Sequence, residues 1–169
     1  IFLFFITFDV SASDDCLVYK LKPKVNINIP SWEKTVVQPL QDMDVLHGNV
    51  IATMVDNYEI TTDITSIEDG FCVSLKNIDV TIGYTDFLVQ IDKSNQRNSC
   101  SYNAILQHED EHIRSYLSVI EDNKKMLKES ILSAAESITP IFVHEQKDIE
   151  SVVDKFNEEV CNVCLEMYK

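Results

Sequence analysis

Between residues 16 and 92, apolar and polar positions mostly alternate. Val25, Ile27 and Ile29 interleave with Lys24, Asn26 and Asn28 until Pro30 ends the run, as in a half-buried strand. Tyr58, Ile60, Thr62 and Ile64 repeat the pattern, as do Ile78, Val80, Ile82 and Tyr84, and residues 87–91 read as one more strand. Turn residues stand at His47-Gly48-Asn49, Glu68-Asp69-Gly70 and Asp92-Lys93-Ser94-Asn95. Residues 32–46 fit either a short helix or a strand with a loop. Because the connections are short, three to five strands in a mostly antiparallel sheet are expected.

From Ser101 the period becomes helical. Tyr102, Ile105, Leu106, Ile113, Tyr116, Leu117, Ile120, Leu127, Ile131, Ala134 and Ile138 recur at i, i+3, i+4, uninterrupted by Gly or Pro before Pro140. Ser99 or Ser101 can cap the start. Thr139-Pro140 has the form of an N-cap with Pro at the first position of a second helix. Phe142, Ile149, Val152, Val153, Phe156, Val160, Val163 and Met167 make its apolar stripe. The pattern predicts an α+β fold. An N-terminal, mostly antiparallel sheet packs against a long C-terminal helical hairpin, as one domain over residues 14–169. Residues 14–98 form its strand-rich part and residues 99–169 its helical part.

Composition narrows the function classes. Of 169 residues, 45% are apolar and 25% charged, so the chain can bury a core. Fourteen basic against 28 acidic residues leave a net charge of −14, which repels nucleic acid and anionic lipid alike. The apolar run Ile1-Phe2-Leu3-Phe4-Phe5-Ile6-Thr7-Phe8 is too short to span a bilayer. With Ser11-Ala12-Ser13 after it, residues 1–13 read as the remnant of a secretory signal peptide, cleaved after Ala12 or Ser13. A buried first strand is the competing reading, against which Asp9 is awkward. The signal reading implies a secreted or periplasmic protein with no stable membrane anchor after cleavage. Five cysteines, Cys16, Cys72, Cys100, Cys161 and Cys164, suit that oxidising compartment. They allow at most two bridges, in fifteen arrangements that sequence leaves open. Cys161-x-x-Cys164 lacks the context of a zinc knuckle or a thioredoxin and reads as structural, one member bridged to a distant cysteine.

The first long helix carries the chemistry. His108-Glu109-Asp110-Glu111-His112 has the form H-E-x-x-H, and the i, i+4 spacing sets both imidazoles one turn apart on one face. Counting about 100° per residue from Tyr102, His108 projects at about 240°, His112 at about 280° and Glu109 at about 340°. The apolar stripe centres close to Tyr102, so Glu109 points partly into it. A carboxylate there is costly unless something pairs with it. An acid-rich solvated helix face that happens to hold two histidines is the plainer alternative. Asp110 and Glu111 read as solvated spacers.

The motif resembles the active-site helix of the zincin metallopeptidases. The longer stretch Ser99-Cys100-Ser101-Tyr102-Asn103-Ala104-Ile105-Leu106-Gln107-His108-Glu109-Asp110-Glu111-His112 is similar to a group of small, largely uncharacterised bacterial secreted proteins described as zinc-dependent proteases. So are Gly70-Phe71-Cys72 and Ile82-Gly83-Tyr84 upstream. The resemblance covers residues 70 to 115. It implies a Zn²⁺ cofactor with His108 and His112 as metal ligands and Glu109 as the catalytic general base, acting on a peptide or protein substrate.

The third ligand stays open. No third His follows His112 at metzincin spacing, and Glu121 lies about 13 Å further along the same helix. A hairpin turning near Thr139 brings Glu166 opposite His112. An earlier turn, which a Cys100–Cys164 bridge would favour, brings Glu158 or Glu159 level instead. His144 lies too far along the hairpin, and His47 is a weaker candidate beside a Gly. Tyr84 and Tyr116 are candidate oxyanion donors. Two other classes remain: a non-catalytic zinc-binding module, and a disulfide-stapled envelope interaction domain without metal. Oligomeric state is not legible in the sequence.

Overall fold

The structure is a computed structural model describing residues 14–39 and 47–166. The signal-peptide reading of residues 1–13 lies outside the described residues. In chain order the elements are α1 (Asp14–Leu17), β1 (Lys24–Asn28), β2 (Glu33–Val37), β3 (Gly48–Ile67), β4 (Gly70–Ile91), α2 (Cys100–Ile138), β5 (Ile141–Val143) and α3 (Ile149–Glu166), with a 3-10 turn at Gln146–Asp148 before α3. By compactness the chain forms two units. The first takes residues 14–26, Tyr58–Asp79 and 127–166, and the second Ile27–Asn57 and Val80–Met126, so β1, β3, β4 and α2 contribute to both.

In the first unit the core is Val73, Leu75 and Ile78 from β4, Leu127, Ile131 and Ala135 from α2, and Val152, Phe156 and Val160 from α3. Cys72 is disulfide-bonded to Cys16, with Cα atoms 5.5 Å apart. β5 pairs antiparallel with β4 in the register Phe71↔Val143, Cys72↔Phe142, Val73↔Ile141. Two residues further, where that register sets residue 139 opposite 75, the Leu75 N–H donates to Thr139 Oγ1 at 2.9 Å. Thr139 therefore extends the ladder with its side chain instead of capping a helix.

In the second unit β2 runs parallel to β4, from Glu33↔Asp86 to Val37↔Gln90. Phe87, Val89 and Ile91 meet Tyr102 and Ile113 of α2 in one buried cluster, with Val36, Val50, Ala52 and Leu117 packed around it. Along β4 the buried positions are Val80 and Ile82, then Phe87, Val89 and Ile91, so the alternation changes phase between them. Gly83 stands at that change with φ +149°, a conformation that side-chain-bearing residues rarely adopt.

Two expectations are corrected. The sheet is mixed, not mostly antiparallel: β2 pairs parallel with β4 while β5 pairs antiparallel with it. Short connections constrain only sequence neighbours, and β2 is paired with β4, beyond the whole of β3. Nor do the helices form a C-terminal hairpin, because β5 and the 3-10 turn separate α2 from α3. Ile141-Phe142-Val143, read as the start of a second helical stripe, is β-branched and aromatic and joins the sheet. No helix among the described residues is long and apolar enough to cross a membrane.

The Cys16–Cys72 bridge spans 56 residues of sequence. Closing a loop of that size is worth about 2–4 kcal/mol through the unfolded chain. Cys16→Ala with Cys72→Ala is expected to lose that much in urea denaturation. An unchanged midpoint would show that the bridge does not constrain the unfolded state.

Candidate active site

Helix α2 is started by Ser99, whose Oγ accepts the Tyr102 N–H at 3.1 Å and whose carbonyl accepts the Asn103 N–H at 3.0 Å. Within the second unit the buried positions of α2 are Tyr102, Glu109, Ile113 and Ile120, a seam with steps of seven, four and seven. Glu109 thus occupies a position that packing alone would give to Leu or Ile, and it is only 4% exposed. Among the described residues its carboxylate has no hydrogen-bond or ion-pair partner. Its lid is Gly48, the first residue of β3. A Cβ there would sit 2.5 Å from Glu109 Oε1 and 2.5 Å from Ile105 Cγ2, so only glycine lets strand and carboxylate approach this closely. The sequence showed Gly48 merely as turn punctuation.

His108 and His112 lie beside this seam and are exposed. Their Nε2 atoms are 3.1 Å apart, with ring centroids at 4.6 Å and planes at 79°. Two nitrogens at that separation, each about 2.05 Å from a common ion, subtend roughly 98° there, close to a tetrahedral edge. That separation is compatible with a shared zinc ion, and it is also the length of a hydrogen bond between the two rings. Asp110 is less free than a solvated spacer, because Lys34 of β2 donates to its two carboxylate oxygens at 2.9 and 3.2 Å. That ion pair ties β2 to α2 next to Glu109. Glu111 stays exposed, with Arg114 at 4.0 Å.

The sequence offered Glu158, Glu159 and Glu166 as candidate third ligands. Glu158 is exposed and Glu159 half-buried on α3, and both belong to the first unit, as does Glu166 at its end. The hairpin register that pointed to them does not exist. Among the described residues no group of three or more His, Cys, Asp or Glu forms a metal cage. His144 is exposed, its Nδ1 3.4 Å from the Asp69 carbonyl and its ring edge-on to Phe142. His47 is exposed, and its carbonyl accepts the Asp92 N–H at 3.0 Å. Cys100 and Cys161 are free thiols, which removes both the Cys100–Cys164 bridge and a bridge through Cys161.

One turn beyond His112, Tyr116 packs on Tyr84 at 5.5 Å and on Phe87 at 6.3 Å, and is 39% exposed. Burial raises the Tyr84 phenol above its ordinary value of 10.0, and charge repulsion from Tyr116 adds to this. Its hydroxyl therefore stays protonated, and able to donate, well into alkaline solution.

Two outcomes follow from this geometry. Gly48→Ala forces the added methyl against Glu109 and Ile105, and is expected to destabilise the fold by about 1–3 kcal/mol in urea denaturation. An unchanged midpoint would mean the carboxylate is not held under β3. A phenol raised on folding contributes stability that is complete below the unfolded value near 10 and is lost as pH rises through the folded value. Tyr84→Phe should therefore flatten the alkaline fall of melting temperature, and an undiminished fall would refute the shift. No family model matches this chain, and neither does any curated protein or solved structure, so the functional reading rests on these residues alone.

Proposed function

We propose that the chain is a secreted or periplasmic zinc-dependent metallopeptidase, with His108 and His112 as metal ligands and Glu109 as general base. The observation that carries the reading is Glu109, a buried carboxylate without a partner among the described residues, placed one residue from the first of two converging imidazoles. Burying such a group costs several kcal/mol unless a charge or proton donor answers it, and a cation between the imidazoles would supply that answer. The H-E-x-x-H spacing of His108, Glu109 and His112 fits the same assignment. The Cys16–Cys72 bridge fits an oxidising compartment.

When bound, zinc supplies a Lewis acid that brings the pKa of a water toward about 7 and polarises a carbonyl. Glu109 takes one proton from the attacking water and delivers it to the leaving amide nitrogen as the peptide C–N bond breaks. The hydroxyl goes to the acyl carbon, giving a carboxylic acid and an amine. Tyr116 is the candidate donor to the oxyanion, and Tyr84, kept protonated, packs against its ring.

Metal content and hydrolysis test this together. Wild type should hold about one zinc per chain and lose it in His112→Ala. Zinc at 100 times its dissociation constant should stabilise the fold by about 2.7 kcal/mol. Glu109→Gln should keep the zinc and lose about 10²–10⁴-fold in peptide hydrolysis. A wild type that takes up no zinc ends the proposal. The missing third donor among the described residues favours a second reading, a disulfide-stapled interaction domain without metal. A urea midpoint that is the same with zinc and with chelator would decide for that reading.

A further inference from the structure

On the second unit, an open depression of about 680 Å³ is formed by the β1–β2 link, β4 and α2. It lies on a different flank of α2 from the histidines. Counted around the helix from Tyr102, Leu117 falls at about 60° and Glu121 at about 100°, against about 240° for His108 and about 280° for His112. Three kinds of wall meet there. Ile29, Pro30, Leu117 and Ile120 are apolar, Trp32 and Tyr84 are aromatic, and Glu121 is the one charged residue among those lining it. Gly83 makes the floor possible, since a Cβ on it would lie 2.9 Å from Pro30 Cδ.

The aromatic wall is left open. Trp32 touches Phe87 only edge-on, at 5.5 Å and 84°, and remains 43% exposed. Glu121 is exposed and has no ion pair or hydrogen bond among the described residues. An apolar trough beside aromatic faces, ending at an unanswered carboxylate, matches an aliphatic stem that carries a cation. A planar guanidinium suits it better than an ammonium, because it both stacks on rings and forms directed bonds to a carboxylate. The net charge of −14 draws such a ligand in and repels acidic ones.

We infer that this depression is a docking site for an arginine side chain of a basic peptide segment, its stem along Pro30 and Ile120, its guanidinium on Trp32 and Tyr84, and its charge answered by Glu121. The site needs neither zinc nor Glu109, so it stands or falls apart from the peptidase reading.

Trp32 is the only tryptophan in the chain, so intrinsic emission reports directly on the depression. The probe is a blocked glycine peptide carrying three arginines, titrated into the full-length chain, beside a copy with citrulline at those three positions. The arginine peptide should change Trp32 emission saturably. Its affinity should fall about tenfold or more with citrulline and in Glu121→Gln, an exposed position whose far-UV dichroism should not change. Glu150→Gln, an exposed carboxylate on α3, should leave the affinity as it was. No saturable change, an equal response to citrulline, or equal weakening in Glu150→Gln would each overturn the inference. The last would show attraction to the overall charge alone.

Discussion

Every other strand described in the sheet is hydrogen-bonded to β4, so the sheet depends on one 22-residue ladder. β1, β2 and β5 have five, five and three residues, too few for any of them to persist without a partner. What holds β4 in place is burial. Cys72, Val73, Ser74 and Leu75 are buried consecutively, which requires cover on both faces of the strand. Beyond Gly83 the buried set becomes Phe87, Val89 and Ile91, the residues on which α2 rests in the second unit. A one-residue slip of pairing there would turn those three toward solvent and expose the seam of α2.

That seam is the reason to read Glu109 chemically. Tyr102, Ile113 and Ile120 show what the position asks for, and a carboxylate there gives up its hydration for no hydrogen bond among the described residues. Gly48 sharpens the point, because a side chain at the start of β3 would fill the space the carboxylate occupies. A glycine and a buried acid in contact are each unfavourable to local stability, the first through chain entropy and the second through desolvation. Their coincidence on the helix that also sets two imidazole Nε2 atoms 3.1 Å apart is what the proposed site rests on.

Local features were legible in the sequence. The helical period from Ser101 to Pro140 becomes α2 at Cys100–Ile138 with Ser99 as its cap, and the Lys24-to-Ile29 alternation becomes β1. The turn at Glu68-Asp69-Gly70 separates β3 from β4. Pairing across distance was not legible. Nothing in Glu33–Val37 shows that its partner lies 53 positions on, and three residues such as Ile141-Phe142-Val143 satisfy a helical stripe as readily as a strand. Glu158, Glu159 and Glu166 were candidates by helix register alone, and with the hairpin corrected that register no longer argues for them. In the candidate site, the i, i+4 spacing marked both histidines and the wheel placed Glu109 at the edge of the stripe. Gly48 and Lys34 were invisible as site residues because each matters only through the contact it makes with α2.

The consequence is a dependence that runs through one helix. Two imidazoles at i and i+4 converge only while the turn between them stays α-helical, and an isolated helix carrying H-E-D-E-H would fray. The turn is held from below by Ile113 in the seam, and from the side by Lys34 on Asp110. The same rigid cylinder presents Leu117, Ile120 and Glu121 around its circumference from the histidines. A residue that disturbed the seam at Ile113 would loosen the imidazole pair directly, and would reach the Trp32 depression only through the three residues α2 lends it. The two surfaces therefore share a scaffold, and of the side chains named for each only Tyr84 belongs to both. For that reason, substitutions at His108 or His112 and at Glu121 act on different flanks of α2, provided the seam residues that seat α2 on β4 are left alone.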